Sequence, residues 1–230
     1  MNGELAASAG SDARSTPDVA RFPLPVSLAV RRMGVTAYAD AYDAMREFTV
    51  RRTTDTPDEL WLLEHLPVYT LGQAGKPEHL LRDNGIPVVR VDRGGQITYH
   101  GPGQVVAYVL LDLRRRGLTV KRLVGLLEQA VIDLIAAHGV AGTRRAGAPG
   151  VYVDGAKVAA LGLRVRGGCC YHGLALNVDM DLAPFADISP CGYAGLAVTQ
   201  LGDLGIRLST ADAADALATR LADAFGKNQH

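Results

Sequence analysis

The chain is short of cysteine, with three in 230 residues: Cys169, Cys170 and Cys191. An odd count with two neighbours in sequence excludes the disulfide framework that staples small secreted domains. Free thiols persist where the compartment is reducing, which predicts a cytoplasmic protein. Net charge is missing too. Lys+Arg and Asp+Glu number 24 each, so no bulk attraction draws the chain to nucleic acid or to an anionic membrane surface, and neither is expected as a partner. No apolar run approaches the roughly 20 residues that cross a bilayer. Residues 1–21 are rich in Ala, Ser, Gly and Asp and hold no apolar segment of signal-peptide length, so they read as a disordered tail. Internal repeats are absent. So is a Gly-x-x-x-x-Gly-Lys-Ser/Thr loop, and Val106 occupies the third glycine position after Gly101-Pro-Gly103, which removes the usual nucleotide and dinucleotide fingerprints.

What remains is enough for a core, since 48% of residues are hydrophobic. Val26 to Arg31 reads as a strand. Tyr38, Ala41, Tyr42, Met45, Phe48 and Thr49 fall at helical spacing, with Thr36 available as N-cap. Leu60 to Glu64 and Val68 to Leu71 read as strands split by Pro67. Pro87 to Asp92 and Gln104 to Leu113 read as two more. Leu123, Leu126, Leu127, Ala130, Val131, Leu134 and Ile135 mark an amphipathic helix closed by Gly139. Val151 to Val153 and Lys157 to Val165 form a hairpin across Asp154-Gly155. Gly167-Gly168 then turns the chain into Cys170 to Val178. A long irregular segment, Asp179 to Val198, precedes an alanine-rich helix from Thr210 to Phe225, with Leu217, Leu221 and Phe225 inward. No composition break interrupts residues 26–225. The pattern predicts an α/β fold, a single domain with a mixed β-sheet and flanking helices.

Chemistry concentrates in three glycine-punctuated blocks: Arg93 to Gln104, Lys157 to Asn177, and Pro190 to Gly195. By strand alternation Lys157 shares a face with Ala159, Leu161, Leu163 and Val165. A lysine entering an apolar environment loses hydration, and its pKa falls from about 10.4, which suits proton transfer near neutrality. A strand-end lysine that snorkels to water, or meets Asp154, is the bland alternative. Cys191 sits between Pro190 and Gly192 in a loop, where free backbone amides favour a thiolate or an oxyanion; it can also be structural. Cys169 and Cys170 end a turn and pack. His100 and His172 each adjoin a glycine, and each can support its loop by a hydrogen bond as readily as it can meet a ligand. Cys169, Cys170, His172 and Cys191 make a poor zinc set, because adjacent strand residues point to opposite faces. Neither metal nor cofactor is expected. Arg114 to Arg116 and the pair Arg144-Arg145 read as solvated turns.

With these blocks, and with Glu64-His65 and Pro67-Val-Tyr-Thr-Leu-Gly72 before them, the sequence resembles the lipoyl(octanoyl) transferase family. The likeness extends to the Gln200 region. It implies the biotin/lipoate protein ligase-like (cofactor transferase) fold. It implies an acyltransferase of lipoate biosynthesis and protein lipoylation, occupying residues 22–230 as its catalytic domain. Octanoyl-acyl carrier protein would be the donor. Lipoyl domains of 2-oxoacid dehydrogenases and the glycine-cleavage H protein would be the acceptors. Cys191 would hold the acyl thioester in a ping-pong reaction, and Lys157 would lower its pKa and handle protons. The binding pocket would be lined by Arg93, Gly94, Gly95, Gln96, Ile97, Thr98, Tyr99 and His100, by Ala160, Leu161 and Gly162, and by Gly173, Leu174 and Ala175, with His172 supporting. Arg164, Arg166 and Arg144-Arg145 are candidate contacts for acidic carriers. Leu66 stands where such sequences often have proline, the Cys169-Cys170 pair is uncommon there, and residues 1–21 lie outside the likeness. Three alternatives stay open: an ATP-dependent lipoate or biotin ligase of the same fold, which needs no thiol; an octanoyl amidotransferase between carrier domains; and a non-catalytic acyl-binding protein.

Overall fold

A computed structural model of the chain describes residues 27–189 and 197–226. The proposed tail, residues 1–21, and Cys191 lie outside the described residues. The elements run β1 (Leu28–Thr36), α1 (Tyr38–Arg51), β2 (Asp58–His65), β3 (Val68–Leu71), β4 (Val88–Arg90), β5 (Ile97–His100), β6 (Gln104–Leu110), α2 (Val120–Ala136), β7 (Gly150–Val153), β8 (Ala156–Arg166), β9 (Cys169–Asn177) and α3 (Thr210–Gly226).

Two sheets form where one was expected. The larger has the order β1-β2-β6-β9-β8-β7 and the smaller β4-β3-β5. In the large sheet β1 runs parallel to β2, and the other neighbours are antiparallel. Leu66-Pro67 is the point of departure: β2 ends at His65 in the large sheet and β3 opens at Val68 in the small one. Proline cannot donate to a ladder, so the chain leaves the first sheet there. The first glycine block, Arg93 to Gln104, holds an element that the sequence pattern does not predict. Ile97–His100 is a strand, paired to β3 through contacts such as Tyr69 with Tyr99.

The central strands are covered on both faces, which is why β2 and β6 read as continuous apolar runs rather than alternating ones. On one face α2 and α3 pack over Leu60, Leu62, Val105, Ala107 and Val109. Within α2, Leu123, Leu127, Leu134 and Ile135 are fully buried, each contributing about 1.5–3 kcal/mol. On the other face Ala41 and Met45 of α1 pack on Trp61, Leu63, Val106 and Tyr108. Thr36 does not cap α1. It is the last residue of β1, its hydroxyl turns back to Met33 O at 3.2 Å, and Ala37 occupies the cap without a side-chain bond. Thr119, by contrast, caps α2 by accepting from Arg122 N.

The expected hairpin joins β7 to β8. Asp154 and Gly155 both take positive φ, 48° and 82°, the two-residue turn whose twist suits the flanking strands. Arg115 and Arg116 are not a solvated turn. With Arg52 they converge on Asp58, whose side chain is fully buried. Isolated residues in a loop gave no hint of that partner, which lies 57 and 58 positions away.

Candidate active site

A β-bulge decides where Lys157 points. Val151 pairs with Ala159 and Tyr152 with Lys157, so Val158 is the extra residue of β8. Val158 and Ala159 both enter the core against α2 and α3, with Leu161, Leu163 and Val165 packed on the same side. The bulge cancels one step of alternation and turns Lys157 to the opposite face. The face expected from simple alternation is therefore corrected: Lys157 lies with Ala160 and Gly162 on the side that carries a cavity. Its stem runs beside Gly150, where an added Cβ would stand 3.2 Å from Lys157 Cε and 2.7 Å from Ala159 O. Its ammonium sits 5.3 Å from the centre of the Tyr152 ring. Its backbone is hydrogen-bonded on both sides of Val198, to Ala197 O at 2.8 Å and from Thr199 N at 3.0 Å.

The cavity holds about 860 Å³, a size typical of small-molecule sites. Its floor is the large sheet at β6, β9 and β8. Its roof is β5 with the turn at Arg93 and the loop at Ala74. Exposed lining residues at Ala74, Gly95 and Arg145 to Gly147 mark the mouth, and buried Tyr38, Tyr108, Val106 and His172 mark the closed end. Of the residues singled out from sequence, Arg93, Gly95, Gln96, Ile97, Thr98, His100, Lys157, Ala160, Leu161, Gly162, His172, Gly173, Leu174 and Ala175 line it. Gly94 and Tyr99 do not. Gly94 N bonds Leu163 O at 2.9 Å and pins the turn to β8. Tyr99 faces the other way from its strand and packs with Tyr69, Met180 and Ile188, as alternation along β5 requires. Among the described residues no Asp or Glu lines the cavity, whereas Arg93, Arg145 and Lys157 do.

Arg93 is committed to the protein. Its guanidinium donates to Thr70 O and Oγ1, Gly94 O and Gln96 O, which fixes the glycine turn as a rigid edge. A directed chain of hydrogen bonds starts here. Thr70 Oγ1 accepts from Arg93 and faces His100 Nε2 at 3.4 Å. His100 Nδ1 meets Gln104 Oε1 at 2.7 Å. Gln104 Nε2 donates to Asn177 Oδ1, and Asn177 Nδ2 donates to Thr199 O. Both amides are oriented by carbonyl partners, so His100 carries its proton on Nδ1 and accepts on Nε2. Burial pushes its pKa down to about 3, with His65 nearby adding to the effect. The imidazole is a neutral strut between the glycine turn and the segment beside Lys157.

A second network closes the far end. Asp92 accepts from the Tyr171 hydroxyl and from His172 Nε2, the latter at 3.0 Å. Burial alone would raise the Asp92 carboxyl, but the bonds from His172, Tyr171 and Tyr42 outweigh it and hold the group below the usual carboxylate range. Burial lowers His172, and its contact with Asp92 opposes that only in part. His172 adopts φ 61°, a conformation costing about 1–3 kcal/mol for a residue with a side chain. Burial and the Asp92 bond hold it there. Cys169 and Cys170 stand apart from this chemistry. Cys170 is buried, donates to Val109 O at 3.2 Å and has its pKa pushed up to about 12 by burial.

Sequence reasoning missed Tyr38, Val106, Tyr108, Asn177, Tyr152 and the turn at Arg145 as cavity residues. Tyr108 and Val106 alternate along β6 with core positions, a pattern that marks one face but not what lies over it. Asp92 lies just before the first block, at the end of the predicted Pro87 to Asp92 strand, and carries no distinguishing signal. Among the described residues no three His, Cys, Asp or Glu side chains are placed to hold a metal ion, and no helix is long and apolar enough to cross a membrane.

The fold is shared with lipoate protein ligases and biotin protein ligases. A bi-partite lipoate protein ligase from Thermoplasma acidophilum superposes with a TM-score of 0.66 at 16% identity, over 88% of this chain and 84% of that one. Biotin protein ligase from Aquifex aeolicus, solved with biotin and ATP, gives 0.52 at 11% identity, over 87% and 70%. The chain belongs to the lipoyl protein ligase A/B catalytic domain family, whose model matches residues 13–222. Among curated relatives it is 62% identical, over 93% of each chain, to a protein of Aromatoleum aromaticum named octanoyltransferase.

Proposed function

We propose that this protein moves an octanoyl group from octanoyl-acyl carrier protein, through a thioester on Cys191, to a lysine of lipoyl domains in 2-oxoacid dehydrogenases and the glycine-cleavage H protein. Residues 22–230 form the catalytic domain, and the reaction belongs to lipoate synthesis in the cytoplasm. Kinship with a named octanoyltransferase across nearly the whole chain supports the acyl group and the reaction class. The observation that carries the catalytic reading is the bulge that turns Lys157 out of the core and into the cavity. The chain bearing Cys191 also re-enters the described structure at Ala197, hydrogen-bonded to Lys157.

In the first half-reaction the Cys191 thiolate attacks the donor thioester carbonyl. The carrier thiol leaves with the proton that Lys157 held. Lys157 is then neutral. In the second, the acceptor lysine amine attacks the acyl-enzyme, its nitrogen forms the amide, and Cys191 leaves as thiolate. Lys157 takes the amine's proton and returns to ammonium. Thioester exchange is near balance and amide formation is downhill, so no nucleotide is consumed. Intact-mass analysis after mixing with octanoyl carrier protein, without nucleotide, is expected to show one octanoyl adduct on the wild type and none on Cys191→Ala. Lys157→Met is expected to slow acylation by orders of magnitude and to shift cysteine alkylation to higher pH. An adduct surviving in Cys191→Ala refutes the nucleophile, and an unchanged alkylation profile refutes the lysine.

A further inference from the structure

The cavity contains its own ruler. Three rows cross the large sheet beneath it. Gln104 pairs with Asn177; Val106 with Ala175 and Ala160; Tyr108 with Gly173 and Gly162. The first row is level with Lys157, because Asn177 bonds Thr199 and Thr199 bonds Lys157. The second row offers only a valine and two alanines. The third offers two glycines and one ring. A chain lying on this floor therefore meets small side chains until it reaches Tyr108.

We propose that Tyr108 is the stop that sets acyl-chain length, the terminal methyl of an octanoyl group resting against its ring at the closed end of the cavity. This rests on the transfer reading above, which places the acyl carbonyl beside Lys157. An extended octanoyl group measures about 9 Å from carbonyl to methyl, and the rows are spaced about 6.6 Å apart. A chain starting near the first row ends between the second and third, and two more carbons carry it into the ring.

The ring is held so that it cannot yield. Its hydroxyl lies 2.7 Å from His65 Nε2, and His65 Nδ1 lies 2.9 Å from Thr36 O. A carbonyl only accepts, so His65 is protonated on Nδ1 and takes the Tyr108 proton on Nε2. The Tyr108 ring is tethered through His65 to the backbone at the end of β1. Opposite it, an added Cβ on Gly162 would stand 3.0 Å from Arg93 Cδ, and Arg93 is itself fixed by four oxygen partners. A stiff wall penalises an overlong chain more steeply than a soft one.

The test measures acylation rates with hexanoyl, octanoyl and decanoyl carrier proteins. In parallel, binding of free hexanoate, octanoate and decanoate is measured by calorimetry. Tyr108→Leu shortens the wall and is expected to raise the decanoyl-to-octanoyl ratio roughly tenfold, the worth of two buried methylenes. Val106→Leu thickens the middle row and is expected to shift preference toward hexanoyl, which keeps the idea testable if Tyr108→Leu does not fold. Wild-type chain preference in a folded variant at either position overturns the ruler. If the wild type is acylated by no donor, the transfer reading fails, and the order of free-acid binding in wild type and variants decides on the ruler alone.

Discussion

Asp58 gives the sharpest stability prediction. Its carboxylate is fully buried and accepts from Arg52 and Arg116, from Arg115 at 2.8 Å, and from Asp112 N at 2.9 Å. Arg52 and Arg116 are themselves almost entirely buried, and Arg115 is partly so. One anion thus fastens the start of β2 to the end of α1 and to the turn before α2. Asp58→Ala leaves buried guanidinium groups without their counter-charge, which costs about 3–5 kcal/mol. Asp58→Asn keeps an acceptor but not the charge, and should fall between that variant and the wild type. With a urea m-value of about 2 kcal/mol/M, the midpoint for Asp58→Ala should drop by about 1.5–2.5 M. Adding Arg116→Met should recover part of the loss, since it removes one uncompensated cation, with a coupling of about 1 kcal/mol or more. Acylation per folded molecule should not change, because none of these residues lines the cavity. A loss under about 1 kcal/mol for Asp58→Ala, at unchanged m-value, would refute the reasoning.

Two further predictions follow from the site. Gly150 has φ 149° and leaves room for the Lys157 stem; Gly150→Ala should displace the ammonium and slow single-turnover acylation on the order of 100-fold, and an unchanged rate would remove Gly150 from that role. His100 has a folded pKa of about 3, below its unfolded value near 6.5. Between those values the unfolded chain binds a proton there that the native chain does not, so stability falls as pH drops from about 6.5 toward 3. His100→Asn should flatten the slope of urea-derived stability between pH 6.5 and 4, and identical slopes in the two proteins would count against it.

The hairpin at Asp154-Gly155, the faces of α2 and α3, and the strands β2 and β6 were legible because each is dictated by near neighbours: a turn dipeptide, a helical period, a run of apolar residues. The glycine blocks were legible because glycine records close approach of something to the backbone. Three features were not. Val158 looks like any strand valine, and its status as a bulge depends on how β7 registers against β8. Arg115 and Arg116 lie 57 and 58 positions from Asp58, so nothing local tied that basic run to a buried carboxylate, and it read as solvated. Strand β5 is four residues long and hidden among glycines, and it exists because β3 leaves the large sheet and offers it an edge.

The sequence alone therefore determined the local elements, the three blocks and the residue types fit for acyl transfer, because those depend on short-range sterics and polarity. Tertiary structure decided which way Lys157 points, that the roof over the small-residue floor is a second sheet, and that Tyr108, held through its hydroxyl by His65, stands at the far end. Those are matters of register and of contacts between distant segments, and only packing of the whole chain can set them.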